Sequence, residues 1–327
     1  MSGCIRITVH HERVNPAGLL DDAPAVATLR ERQEVDGVYA CTRKERRLSR
    51  AGAPYLTIEL TDRTGTIPAR AFRDADLLAG RFERGELVRV RGRVERYRDQ
   101  LQIDLHAISS APEHDQQPER FLPVARRDLD ELEGFFEHLA REVREPGFAA
   151  LLEHMLGDRG LRAGLRTAPC SAPLTSGGRT GSPSRAPSHH AYLGGLLEHT
   201  VAVATLALEL CTVHLRLQRD LLLCAALVHD LGKTREFTYG AEIAYSPEGR
   251  LLGHIELGLR VIAEHAPRSL PAERRLALEH CVMLHHGPEA AAGQRFASLE
   301  ALALYRLNAL DAHIKGALER GMAAPAA

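Results

Sequence analysis

The stretch Leu221-Leu222-Leu223-Cys224-Ala225-Ala226-Leu227-Val228-His229-Asp230-Leu231-Gly232-Lys233 decides how the second half of the chain is read. Leu221 to Val228 is apolar without a break, so it reads as a buried helix, not a surface one. Gly232 is the residue type that ends helices. A histidine and an aspartate therefore arrive together at the buried end of a helix. An unpaired charge there is costly, and a metal ion is one way to neutralise it. Imidazole nitrogen and carboxylate oxygen are ligands for zinc, manganese or iron. A lone His-Asp pair is more often a helix cap than a site, but this one has company. His199 lies in Gly194-Gly195-Leu196-Leu197-Glu198-His199-Thr200, His254 in Leu252-Gly253-His254, and two more histidines in Leu284-His285-His286-Gly287. Each sits in or beside an apolar helical pattern. Core histidines satisfied by backbone groups would have to produce this whole order by coincidence.

That order resembles the HD-domain superfamily of metal-dependent phosphohydrolases. In this reading Asp230 bridges two divalent cations. His199 and His229 hold the first, and His254, His285 and His286 hold the second. Two bridged cations would clamp the attacking and leaving oxygens of a phosphoryl transfer. Lys233, one turn from His229, is expected to meet a phosphate oxygen as a point charge. The bland alternative for it is a surface lysine near a helix end. His189 and His190 precede the first ligand, and His190 is expected to contact substrate phosphate or serve as general acid.

At 327 residues the chain has room for two or three domains. Its 44% hydrophobic content is ordinary for a globular protein. No apolar run reads as long enough to span a bilayer, and the first residues lack a secretory pattern, so a cytoplasmic protein without membrane partners is expected. Cys4, Cys41, Cys170, Cys211, Cys224 and Cys281 are scattered with no C-x-x-C spacing, which suits reduced core thiols, not a disulfide or zinc framework. The net charge of −1 hides an asymmetry: residues 34–110 carry 15 Lys and Arg against 12 Asp and Glu, and residues 111–327 carry 23 against 27. A basic module joined to an acidic one suits polyanion capture beside metal chemistry.

Residues 34–110 read as β. Tyr55-Leu56-Thr57-Ile58-Glu59-Leu60 alternates as a half-buried strand, and Thr61-Asp62-Arg63-Thr64-Gly65 is a hairpin turn. Five strands with a helical insert between the third and fourth fit an OB-fold barrel, with an SH3-like barrel as the competing reading. The segment holding Arg43, Lys44, Arg46, Arg47 and Arg50 is expected to be the loop between the first two strands, and Arg96, Tyr97 and Arg98 the loop between the last two. OB-folds bind oligonucleotides through these loops and the face between them. Arginines suit phosphates, and Tyr55, Tyr97 or Phe72 suit base stacking, although each aromatic taken alone is more often core. The expected fold is thus multidomain α and β: a five-stranded OB-fold β-barrel over 26–110, after an extension at 1–25, and an all-α HD domain over 191–320. Residues 111–125 read as a linker and 126–190 as a helical connector. Within that connector, 167–188 is rich in Pro, Ser, Gly and Arg and reads as a mobile loop.

This layout resembles the YhaM family of 3′→5′ exoribonucleases. The resemblance rests on Val35-Asp36-Gly37-Val38-Tyr39, Gly52-Ala53-Pro54-Tyr55-Leu56, Leu60-Thr61-Asp62-Arg63-Thr64-Gly65, the run from His189-His190 to His199, His229-Asp230-Leu231-Gly232-Lys233, Glu248-Gly249-Arg250-Leu251-Leu252-Gly253-His254 and His285-His286-Gly287. It implies metal-dependent hydrolysis of single-stranded RNA, and also of DNA, from the 3′ end. It implies manganese as the cofactor, with cobalt, iron, magnesium and zinc as alternatives, and assembly into a homo-oligomer. The family's Asp-Asn-Leu-Asp-Ala motif appears here as Asn308-Ala309-Leu310-Asp311-Ala312, which puts Asn308 at a ligand position. Asn308 is therefore expected to face the His199, His229 and Asp230 cluster, with Asp311 not a ligand. Two other readings compete: a phosphohydrolase of small nucleotides with a regulatory barrel, and a non-catalytic, relaxase-related nucleic-acid-binding protein with a degenerate metal site.

Overall fold

The computed structural model describes residues 24–49, 52–112, 115, 117–172, 189–289 and 295–322. Most of the extension at 1–25, Arg50, and residues 173–188 of the expected mobile loop lie outside the described residues.

Alternation with period two builds the first half. Strands β1 (Glu34–Leu48), β2 (Pro54–Asp62), β3 (Gly65–Ala71), β4 (Leu87–Tyr97) and β5 (Gln100–Ser110) close into a barrel in the order β1-β2-β3-β5-β4, with β1 pairing back onto β4. A short helix, α1 (Ala75–Ala79), lies between β3 and β4, as the OB-fold requires. Leu56, Ile58 and Leu60 of β2 meet Val88, Val90, Val94 and Ile103 inside the barrel. The basic segment differs from expectation. Residues 42–48 are not a loop but the second half of β1, paired with β2 beyond a bulge between Cys41 and Arg43. Their cations find carboxylates on neighbouring strands and helices, so a run that looks loop-like by charge is held as strand.

The second half is helical: α2 (Leu129–Arg141), α3 (Pro146–Gly157), α4 (Arg159–Thr167), α5 (Gly195–Val213), α6 (Arg219–Val228), α7 (Lys233–Glu236), α8 (Pro247–His265), α9 (Ala272–Leu284) and α10 (Leu299–Glu319). Helix α6 is the axis. Every residue from Leu221 to Val228 is buried, and α2, α3, α5, α9 and α10 all pack on it. It ends at Val228, three residues earlier than its apolar pattern and Gly232 suggest. Gly232 keeps helical angles, φ −60 and ψ −22, and is not a left-handed cap. Its lack of a side chain serves a close approach: a Cβ there would fall onto the His254 carbonyl oxygen and the Gly258 nitrogen of α8. Helix α5 is long and apolar enough by composition to cross a membrane, contrary to the expectation that no run is. In the fold it packs against α2, α6 and α10 and carries the buried His199.

Strands β6 (Phe237–Tyr239) and β7 (Ile243–Tyr245) form a hairpin between α7 and α8. Its tip touches the barrel, where Ala241 N–H donates to Gly85 O at 3.0 Å and Ala241 packs with Val38, Ala40 and Leu87. The segment read as a linker also packs: Leu122 joins Leu193, Phe237 and Ile243, and Val124 bridges to Leu193.

Candidate metal centre

His229 follows the last residue of α6, and its Nδ1–H donates to Ala226 O at 2.8 Å. A carbonyl only accepts, so Nδ1 carries a proton, and in the neutral ring Nε2 then offers its lone pair. Three further histidines are pinned the same way. His199 Nδ1–H donates to Asp311 Oδ2 at 2.6 Å, His285 Nδ1–H to Val282 O, and His254 Nδ1–H to Glu236 Oε1 at 3.2 Å. Gly253 places His254: its φ of 71 and ψ of 164 break α8 one residue before the histidine.

The bare nitrogens then converge. His199 Nε2 lies 3.2 Å from His229 Nε2. Asp230 Oδ2 lies 3.6 Å from His199 Nε2 and 3.3 Å from His229 Nε2. The other oxygen, Oδ1, lies 3.3 Å from His285 Nε2 and 3.6 Å from His254 Nε2, which in turn is 3.0 Å from His286 Nε2. Lone pairs facing one another with no proton between them repel. Asp230 Oδ1 and His285 Nε2 are buried with no hydrogen-bond partner, a costly arrangement unless something else binds them. A divalent cation on each side of Asp230 turns both repulsions into coordination. The separations also suit donors about 2.0–2.2 Å from a shared ion. The residues present therefore fit two cations, with Asp230 between them.

Burial pushes His199 and His285 down to about 4, against the pull of Asp311 and Asp230 respectively, so both rings are neutral, the coordinating form, at neutral pH. Burial also pushes His286 down. For Asp230 burial works the other way, but the Lys233 ammonium holds its carboxyl well below the usual range.

Three expected site residues are placed differently from the sequence reading. Lys233 is not a surface lysine. Its ammonium is buried and sits 2.7 Å from Asp230 Oδ2 and 3.3 Å from Cys170 Sγ. His190 is buried, and neither ring nitrogen is open to a substrate. Tyr192 gives its hydroxyl proton to Glu198 at 2.6 Å, so it accepts from His190 Nδ1–H at 3.0 Å, while His190 Nε2–H donates to Asp311 Oδ2 at 3.1 Å. That makes His190 a double donor, and burial, which would push its pKa down, loses to Asp311 and Glu198, which raise it. Asn308 turns its amide nitrogen to His285 O at 3.1 Å. Asp311, not expected to be a ligand, is the α10 residue that reaches His199, on Nδ1, the nitrogen away from the cluster. Three residues apart on one helix, the two share a face in the sequence, and the rotation of α10 decides which meets which neighbour.

On the barrel, five of the cations expected to bind nucleic acid are in ion pairs. Arg43 and Arg47 meet Glu45, Arg46 meets Asp76, Lys44 meets Glu83 and Arg96 meets Glu31. The aromatics stand out instead. Phe72 is 56% and Tyr97 46% exposed, not core. Tyr55 stacks on Phe72 with ring centroids 5.4 Å apart, and Arg70 and Arg98 lie 5.2 and 5.3 Å from the Tyr97 ring. Arg70 is the cross-strand partner of Thr57, and Arg70 Nε and Thr57 Oγ1 are buried without a hydrogen-bond partner.

Comparison with known proteins matches residues 196–313 to the HD domain family and residues 41–110 to the OB-fold nucleic acid binding domain family. The chain is an OB-fold and HD-domain protein. It is similar to the 3'-5' exoribonuclease YhaM of Bacillus licheniformis, 28% identical over 275 residues that cover 82% of each chain. It is also similar to the 3'-5' exoribonuclease YhaM of Shouchella clausii, 29% identical over 298 residues, 88% of this chain and 87% of that one. Among solved structures, it is similar to the single-stranded DNA binding protein from Thermus aquaticus at 21% identity, over 24% of this chain and 40% of that one, with a TM-score of 0.22. Within this OB-fold and HD-domain chain, sequence reasoning overlooked Glu236, which orients His254, and Cys170, which touches Lys233 and Asp230. Neither carries a motif, since both act through contacts that only the fold brings about.

Proposed function

We propose that the chain is a metal-dependent 3′→5′ exonuclease that removes mononucleotides from single-stranded RNA, with single-stranded DNA as a second substrate. The observation that carries this is the split of Asp230, one oxygen facing His199 and His229 and the other facing His254 and His285, in a chain whose barrel exposes stacking aromatics. The relatives named as exoribonucleases match over most of both chains, which supports the same activity here. His199, His229 and Asp230 would hold one divalent cation, and Asp230, His254, His285 and His286 the other. When bound, such cations lower the pKa of a coordinated water and neutralise phosphoryl charge, and manganese is the ion the family resemblance favours.

The chain's own groups supply the rest. Asp311, Glu236 and the carbonyls of Ala226 and Val282 hold each ring in the tautomer that presents Nε2. Lys233 offsets the charge of Asp230. Tyr55, Phe72 and Tyr97 would stack successive bases, with Arg70 and Arg98 beside them for phosphates, so strand capture is sequence-tolerant. Free, buried thiols at Cys41, Cys170, Cys211, Cys224 and Cys281 support a reducing, cytoplasmic setting.

The test is incubation of a 5′-labelled single-stranded oligoribonucleotide with metal-loaded protein. A ladder shortening from the 3′ end, absent after chelation, is expected. Immediate release of labelled mononucleotide, or no cleavage with any divalent metal, would contradict the reading. A deoxyribonucleotide strand run in parallel tests the DNA arm.

A further inference from the structure

His190 has a left-handed backbone, φ 48, a region that residues other than glycine seldom adopt. Neighbours on both sides hold it there. Its N–H donates to Glu319 Oε1 at 3.0 Å, and its carbonyl accepts from Cys170 N–H at 3.0 Å. Backbone strain of this kind persists where the surroundings over-determine it, and it gathers at functional sites.

The buried ring of His190 is the middle of a chain of polar groups that ends on His199. At the outer end Lys315 Nζ donates to Glu198 Oε1 at 2.9 Å, and the Tyr192 hydroxyl donates to Glu198 Oε2 at 2.6 Å. His190 Nδ1–H donates to the Tyr192 oxygen at 3.0 Å and its Nε2–H to Asp311 Oδ2 at 3.1 Å. That same oxygen accepts His199 Nδ1–H at 2.6 Å. His190, His199 and Asp311 thus bring three ligand atoms together, yet the carboxylate oxygen already accepts a proton from each ring, so these groups are satisfied without an ion. The terminal torsion of an aspartate is soft, so one donor does not fix where its oxygen stands. Two donors from separate parts of the chain do.

We propose that His190 is a positioning residue for the first cation: its Nε2–H fixes Asp311, Asp311 keeps the proton of His199 on Nδ1, and His199 Nε2 is thereby held as a ligand. Tyr192, Glu198 and Lys315 set the His190 ring from the far side. Partners beyond the ligands orient a metal site in this way. The inference rests on the metal-centre reading above, but its first half, the place of the proton on His199, is read without any metal.

Two substitutions separate this role from a merely structural one. Glutamine puts its amide nitrogen near the place of histidine Nε2, and asparagine near that of Nδ1. His190→Gln therefore keeps a donor for Asp311, whereas His190→Asn keeps one for Tyr192 only, although asparagine is the better tolerated of the two in a left-handed backbone. The test is nitrogen NMR of the metal-free full-length protein carrying isotopically labelled histidine, at neutral pH, followed by calorimetry with manganese. Wild type and His190→Gln should show His199 protonated at Nδ1 alone and should bind manganese alike. His190→Asn should show His199 exchanging between its two tautomers, and one of its two manganese sites should weaken about tenfold, the lower end of the range for such partners. A wild-type His199 spectrum and manganese affinity in His190→Asn, or a His190→Gln protein as impaired as His190→Asn, would overturn the proposal. If His190→Asn fails to fold, wild type decides: His190 Nε2 should carry a proton, and a bare Nε2 would overturn the proposal. Expected spectra in a wild type that binds no manganese would overturn the metal-centre reading, whereas contrary spectra in a wild type that binds it overturn the role of His190 alone.

Discussion

His199 divides its two nitrogens between two jobs, and Asp311 decides which does which. With Nδ1–H held by the carboxylate, Nε2 is left for coordination. Asp311→Ala should lower metal affinity by about 10–100-fold, the usual effect of losing such a partner. Calorimetry of the metal-free protein reads this directly, and an unchanged affinity would mean that other groups hold the tautomer. Asn308 acts from the opposite side, as donor to the His285 carbonyl. An aspartate there cannot donate and would place oxygen against oxygen. Asn308→Asp should cost the metal-free protein about 1–3 kcal/mol, as buried groups left unsatisfied do. A wild-type urea midpoint would contradict this. The order of the histidines and the His-Asp pair was legible in the sequence, because ligand types at helix ends leave a local pattern. The partners that orient them were not. Asp311 lies 112 residues from His199 and Glu236 lies 18 from His254, separations that carry no periodic signal.

Helix α6 was legible as a buried helix because eight apolar residues in a row leave no polar face. Its end was misread, since Gly232 looks like a cap and is in fact a contact point with α8. Gly232→Ala would drive a Cβ into the His254 carbonyl and force α7 and α8 apart, which separates Asp230 from His254. Overpacking of this kind costs about 1–3 kcal/mol. The variant should unfold at lower urea and bind less than its full complement of metal; wild-type values for both would refute the close approach. The β1 segment from Arg43 to Arg47 shows the limit of composition. Dense charge reads as a solvated loop, yet Glu45, Glu59, Asp76 and Glu83 pair those cations and β2 supplies the ladder. Strand formation depends on such neighbours more than on intrinsic preference. Phe72 and Tyr97 were left open between core and stacking surface for the related reason that one aromatic in an alternating run cannot show which face it takes.

Across the whole molecule, barrel and helical half meet through the β6–β7 hairpin, which rises directly from the Lys233–Glu236 helix and returns into α8 just before His254. The buried histidines couple the entire fold to pH. His199 and His285 have an ordinary value of 6.5 and are held at about 4 when folded, so between these values the unfolded chain binds more protons. Stability from this source is complete above 6.5 and is lost as pH falls towards 4. The metal-free protein should therefore show a lower urea midpoint at about pH 5 than at neutral pH, and bound metal should reduce the difference by competing with those protons. A flat profile for the metal-free protein would contradict the neutral, buried state of both rings. The central claim is that Asp230 lies between two cations, and anomalous diffraction from crystals of the metal-loaded protein tests it most directly. Two peaks are predicted, one beside His199 and His229 and one beside His254 and His285, each next to a different oxygen of Asp230. A single peak, or two peaks that leave Asp230 uncoordinated, would contradict it.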